Sequence, residues 1–125
     1  MNFKFDNERP IYIQLVEQLE IYIISGKLKP GEKLPSVRDL AISSKVNPNT
    51  MQKALVELEE LKLIYTERTN GKYVTNDQKL INKYKEKYAK DKVLNYLFEM
   101  ASLGFNQEEA INYLKQLGGI KEWNY

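Results

Sequence analysis

The sequence predicts a mainly α-helical chain with one small β-hairpin: three helices, the hairpin, then two more helices. Three observations carry that expectation. Apolar residues recur at helical spacing in two stretches, 10–25 and 47–60. The period then changes, and two β-prone runs at 63–66 and 72–75 flank Arg68-Thr69-Asn70-Gly71, whose Asn-Gly pair is a strong hairpin signal. Helical spacing returns from Asp77 and holds as far as Gly118-Gly119.

The first helix is framed by Pro10, whose missing N–H costs nothing in a first turn, and by Gly26, which supplies a left-handed end. Tyr12, Leu15, Val16, Leu19 and Ile23 form its stripe. Ile13, Ile21 and Ile24 lie off that stripe and suggest burial on more than one side. Lys29-Pro30-Gly31 has the residues of a turn, and Glu32, Lys33 and Leu34 suit a very short strand. Ser36, with Asp39 three residues on, reads as the N-cap of a short second helix that keeps Leu40 and Ala41 inward and fades near Ser43 or Ser44.

After the brief interval Lys45-Val46-Asn47, a capping Asn47 and a first-turn Pro48 open the third helix. Met51, Ala54, Leu55 and Leu58 fall at i, i+3, i+4 and i+7, so its stripe runs to about Glu60. Two helices joined by a tight turn, the second opened by polar residues, form a helix-turn-helix pattern. With the first helix and the hairpin they make a winged helix. Further on, Tyr84, Tyr88, Leu94, Leu97, Phe98 and Ala101 mark inward faces of a helix ending near Gly104. Asn106 with Glu109 caps a last helix that keeps Ala110, Ile111, Leu114 and Leu117 inside, and 120–125 stay unassigned. The predicted organisation is a winged helix-turn-helix domain at 1–76 and a two-helix dimerisation appendage at 77–125.

Composition narrows the function classes. The chain has 125 residues, enough for one domain or a small domain with an appendage, and 42% apolar with 29% charged residues is globular composition. Without cysteine there is no disulfide, thiolate metal site or cysteine nucleophile. Without histidine, the commonest general base and metal ligand are missing too. Glu59-Glu60 and Glu108-Glu109 are adjacent, so on helices they point about 100° apart and cannot share a proton as a catalytic pair. No catalytic residue, metal or cofactor is therefore expected. The opening MNFKFDNERP lacks the apolar core of an export signal, and Ile21-Tyr22-Ile23-Ile24 falls far short of the ~20 residues of a membrane span. The expectation is a cytoplasmic protein with no membrane partner.

The polar residues at the helix-turn-helix point to double-stranded DNA. A recognition helix enters the major groove by its N-terminal end, so base-reading groups belong in its first turns. Asn47, Asn49, Thr50, Gln52 and Lys53 are all polar there, while Met51, Ala54 and Leu55 hold the helix on its core. Asn and Gln pair with adenine N6 and N7, and Thr offers a hydroxyl or packs its methyl on thymine. Arg38, near the start of the second helix, can reach guanine or phosphate, with Asp39 as a competing ion-pair partner. Asn47 serves as a cap whether or not it touches DNA. Lys72, just past the Asn70-Gly71 turn, would put a point charge at the hairpin tip, suited to phosphate or a narrow minor groove. Net charge is only +2, although Lys79, Lys83, Lys85, Lys87, Lys90 and Lys92 form a basic run that is either a solvated face or a flank toward DNA.

The segments GKLKPGEKLPSVRDLA at 26–41 and VNPNTMQKALVELE at 46–59 resemble the DNA-binding domain of GntR-family transcription regulators, and the likeness extends over 10–74. PIYIQL and VNPNT are similar to the YtrA-type subfamily, whose short two-helix C-terminal part suits 77–117; residues 75–125 are too few for the larger domains of other members. The resemblance implies DNA contact at Arg38, Asn49 and Thr50 and at the wing around Gly71 and Lys72. Some members have arginine where this chain has Pro48 and Gln52, which shifts the expected operator from guanine-rich toward A·T content. It further implies a dimeric repressor of its own operon, often with an ABC transporter nearby, bound to an inverted-repeat operator. The homodimer would form through Leu94, Leu97, Phe98, Ala101, Ile111 and Leu114. Nothing in the residues identifies a small-molecule effector. The competing class is a winged-helix protein-interaction module presenting Tyr65 and Tyr73 to a partner.

Overall fold

The computed structural model describes residues 1–119. In chain order the elements are α1 (Ile11–Ile24), α2 (Val37–Ser44), α3 (Pro48–Glu60), β1 (Ile64–Glu67), β2 (Gly71–Val74), α4 (Gln78–Ser102) and α5 (Gln107–Leu117). The predicted order of helices and hairpin is the observed one. The chain divides into two compact units, Met1–Lys85 and Glu86–Tyr125, and the division falls inside α4. The unassigned stretch 120–125, part of the predicted dimerisation region, lies outside the described residues.

The core of the first unit assembles on α3. Met51, Ala54, Leu55 and Leu58 are buried on one face of that helix, against Leu15, Leu19 and Ile23 of α1 and Leu40 of α2, while Leu63, Ile64 and Val74 close it from the hairpin side. Local chemistry places the ends. Ser36 Oγ accepts the Asp39 N–H at 3.1 Å and opens α2. Lys45 takes a left-handed conformation with φ 58° and turns the chain into α3. Asp77 Oδ1 accepts the Leu80 N–H and starts α4.

The hairpin differs in detail from the expected one. Its strands are Ile64–Glu67 and Gly71–Val74, paired antiparallel with Tyr65 opposite Tyr73 and Thr66 opposite Lys72. Leu63 is kept out of β1 because its N–H closes the end of α3 on the Leu58 carbonyl, after a left-handed Lys62. The connection is a three-residue loop, 68–70, and Gly71 begins β2 with φ +107°, a backbone setting that favours glycine. The short strand expected at 32–34 is a single bridge of Lys33 to Tyr73, extended by hydrogen bonds from Leu34 N–H to the Lys72 carbonyl and from Val74 N–H to the Glu32 carbonyl. Gly31 completes this edge, because a Cβ there would lie 2.7 Å from Asn76 Oδ1.

The second side of α1 is covered, although not by the isoleucines. Ile24 is buried, but Ile13 and Ile21 remain exposed. Instead, residues 2–9 run back along α1 and are fastened by Gln14, Gln18 and Tyr22, which share a face at i, i+4 and i+8. Gln14 is 3% exposed; it accepts the Asp6 N–H at 2.9 Å and donates to the Asp6 and Arg9 carbonyls at 3.1 and 2.8 Å. Gln18 pairs both ways with the Lys4 backbone, and the Tyr22 hydroxyl both ways with that of Asn2. Gln14→Ala removes all three of these part-buried hydrogen bonds and is expected to cost about 1–3 kcal/mol. A lower urea midpoint, with faster hydrogen exchange at the Asp6 amide, checks it.

In the second unit, the paired hydrogen bonds of Asn106 and Glu109 form the predicted capping box, at 2.9 and 3.0 Å. The Tyr96 hydroxyl donates to the Ala110 carbonyl at 2.7 Å, and Phe105 meets Tyr113 edge-on. The expectation that the apolar stripes here face inward is corrected within the single chain. Among the described residues of this unit only Ala110 is buried; Leu97 is half-buried, whereas Leu94 is 63% and Phe98 77% exposed, and Ala101, Ile111, Leu114 and Leu117 are exposed as well. Two helices enclose too little volume to cover both stripes.

Candidate nucleic-acid interface

The turn between α2 and α3 gives the recognition helix a defined start. The Val46 N–H bonds to the Ala41 carbonyl at 3.1 Å, so the chain leaves α2 tightly. Asn47 Oδ1 accepts the Asn49 N–H at 2.7 Å, and the Asn47 carbonyl accepts the Met51 N–H at 3.0 Å. Asn47 is thus the cap the sequence predicts, with its side-chain oxygen spent on the backbone and its amide nitrogen at an exposed position. Pro48 follows as the first helical residue.

Beyond the cap, the buried face of α3 fixes what the opposite face shows. Asn49, Gln52, Lys53 and Val56 are exposed, and Thr50 is half-buried. The structure therefore brings Asn49, Gln52 and Lys53 onto one surface. Lys53 does not extend freely, since its Nζ lies 3.7 Å from the centre of the Tyr12 ring, a cation–π contact that ties the recognition helix to the first turn of α1. Arg38 is exposed at the second position of α2 and forms no ion pair among the described residues, so the competing pairing with Asp39 is not made.

The wing departs most from expectation. Lys72 is not at the hairpin tip, which Arg68, Thr69 and Asn70 occupy, all exposed. Side chains alternate across a strand, so Lys72 and Thr66 lie on the same face as the buried Ile64 and Val74. From there the Lys72 ammonium donates to Thr66 Oγ1 at 2.9 Å and stands 3.8 Å from Glu59 Oε1 on α3, and its side chain is 17% exposed. The other face carries the Tyr65–Tyr73 stack. Lys33 reaches the wing from outside the hairpin, its Cε 3.5 Å from where a Cβ on Gly71 would be.

Reading from the sequence missed Lys33, Arg68, Glu59 and Tyr12 as members of this surface. A signal existed only for Arg68, inside the turn sequence; the others arrive by folding. Among the described residues no cluster of acidic side chains could hold a metal, and no helix is long and apolar enough to cross a membrane.

A capped helix with an exposed polar face, seated behind a tight turn and flanked by a hairpin, defines a winged helix-turn-helix DNA-binding protein. Residues 11–74 match the bacterial regulatory proteins of the gntR family, and the chain belongs to that family. It is 34% identical to an uncharacterized HTH-type transcriptional regulator, YhcF of Bacillus subtilis (strain 168), over 92% of this chain and 95% of the relative. The HTH-type transcriptional repressor YtrA of the same organism is also 34% identical, over 86% and 84%. Among solved structures, a GntR family transcriptional regulator from Listeria monocytogenes superimposes with a TM-score of 0.82 at 43% identity, covering 90% of this chain and 98% of the other. The AraR DNA-binding domain in complex with operator ORX1 is similar over 60% of this chain and 96% of its own, at 26% identity and TM-score 0.55. The protein is accordingly a GntR-type DNA-binding transcriptional regulator and not an enzyme.

Proposed function

We propose that this regulator is a cytoplasmic homodimeric repressor that occupies an inverted-repeat operator in its own promoter. The observation that carries the reading is the exposed row Asn49, Gln52 and Lys53 on a helix whose opposite face is wholly buried. With α3 in the major groove, Asn49 and Gln52 read adenines and Thr50 a thymine methyl, favouring A·T-rich half-sites. Arg38 takes a guanine or a phosphate, while Asn47 and Lys53 hold the backbone. At the wing, Gly71 allows close approach of the chain and Lys72 supplies charge. YtrA, a relative of similar length, is named a repressor, and AraR was crystallised on its operator.

The second unit supports the homodimer reading. Leu94, Phe98 and Ala101 of α4, with Ile111 and Leu114 of α5, are exposed beside a half-buried Leu97, and clustered exposed apolar side chains mark an association surface. Two-fold pairing through them would repeat the recognition helix, so half-sites about one helical turn apart, or a multiple of that, are expected. Footprinting on DNA upstream of the gene, including any transporter operon there, tests the proposal. Two protected half-sites whose affinity falls linearly with the logarithm of salt support it. A chain that shifts no duplex at low salt would instead favour a protein-binding wing built on Tyr65 and Tyr73.

A further inference from the structure

The contact between the wing and the recognition helix has a function of its own. Thr66 donates its hydroxyl hydrogen to Glu59 Oε1, and the lone pairs of that hydroxyl receive the Lys72 ammonium at 2.9 Å. The relay runs from Lys72 on β2 through Thr66 on β1 to Glu59 on α3, and the ammonium stands 3.8 Å from the carboxylate it serves. The wing cation is therefore already compensated in the free protein. The only other ion pair among the described residues, Arg9 with Glu17, lies on α1 and its leading segment.

From this clasp we propose that Glu59 is a positioning residue for operator binding: acting through Thr66, it holds Lys72 against the recognition helix until a DNA phosphate takes the lysine over. The inference rests on the DNA-contact reading of the wing given above. No bond is made or broken beyond the exchange of one anionic partner for another. The exchange has a specific electrostatic signature. A lysine moving from water to phosphate releases condensed counterions and adds about 0.9 to the slope of log K against log salt. A lysine moving from Glu59 to phosphate leaves a bare carboxylate beside the duplex, and the cation that carboxylate attracts offsets part of the release. Lys72 should thus contribute little to the slope while Glu59 is present and nearly its full share when Glu59 is neutral.

The test uses the full-length protein and a random-sequence duplex of about three helical turns, at roughly 10.5 base pairs a turn. Binding is measured across a salt series for the wild type, Glu59→Gln, Lys72→Ala and the double variant. Glu59→Gln should tighten low-salt binding by about 1.5- to 5-fold per wing, the fold-change equivalent of an exposed ion pair. Lys72→Ala should flatten the slope by close to 0.9 per wing in the Glu59→Gln background, and by much less in the wild type. Equal flattening in both backgrounds overturns the proposal, because Glu59 would then act only by its own repulsion of phosphate. Amine acetylation of the free protein, read by mass spectrometry, judges the clasp without DNA. Lys72 should label several-fold more slowly than Lys45 or Lys62, and Glu59→Gln or Thr66→Val should remove the difference. Slow labelling without salt-dependent DNA binding would leave the clasp standing and sink the wing contact; labelling at the common rate would sink the clasp.

Discussion

Phe98→Asp in the full-length chain is expected to turn the proposed dimer into a monomer at micromolar concentration. Phe98 is 77% exposed in the single chain, so the substitution removes nothing from the core of its own unit. Its effect falls on association. Burying a Phe side chain contributes about 1.5–3 kcal/mol, and a two-fold interface contains it twice. The dimer should therefore lose roughly 3–6 kcal/mol, about two to four orders of magnitude in dissociation constant. Leu114→Asp, on α5, should act in the same direction. Sedimentation equilibrium with circular dichroism separates dissociation from unfolding: helicity should be kept while the mass halves. A Phe98→Asp chain that stays dimeric would move the interface away from the α4 stripe.

Asn49→Ala is the second large expected effect, and it concerns specificity. Asn49 is exposed two residues beyond the cap. Its own N–H is satisfied by Asn47 Oδ1, so the side chain is not needed to start the helix. Losing a two-bond adenine contact should cost about 1–3 kcal/mol and relax preference at one position of each half-site. A panel of single-base operator variants makes the measurement. Affinity for the preferred base should fall by roughly 5- to 150-fold, with little change for the others. Uniform weakening across the panel would assign Asn49 to phosphate instead.

The clasp alters what a wing substitution means. Lys72 read from the sequence is a free charge past a turn; in the structure it is tied to Thr66 and faces Glu59. Removing it takes away a neutralised pair member, so a weak effect of Lys72→Ala alone would not show that the wing is idle. The Lys53 contact with Tyr12 carries a similar lesson, since a residue on the exposed polar face of α3 is oriented by α1.

What the sequence by itself determined is local. Ser36, Asn47 and Asn106 announce their helix starts because a cap bonds only two or three residues ahead, and all three bonds are present. The α3 stripe was legible because helical period follows from backbone geometry, and with one face buried the polar row opposite it follows too. The tertiary structure decided whatever depends on how separate elements meet. Gln14, Gln18 and Tyr22 share a face that the sequence shows, but that residues 2–9 would lie along it depends on the return path of the chain. The placement of Glu59 beside Thr66 and Lys72 needed the strand register set by the three-residue loop, and a one-residue slip would have sent Lys72 to the opposite face. The apolar stripes of α4 and α5 were visible as patterns that two helices cannot cover alone, whereas which of their side chains the folded chain leaves exposed is a tertiary fact. Periods and caps are short-range and survive in one dimension, whereas burial and ion pairing depend on distances that exist only after the chain has closed on itself.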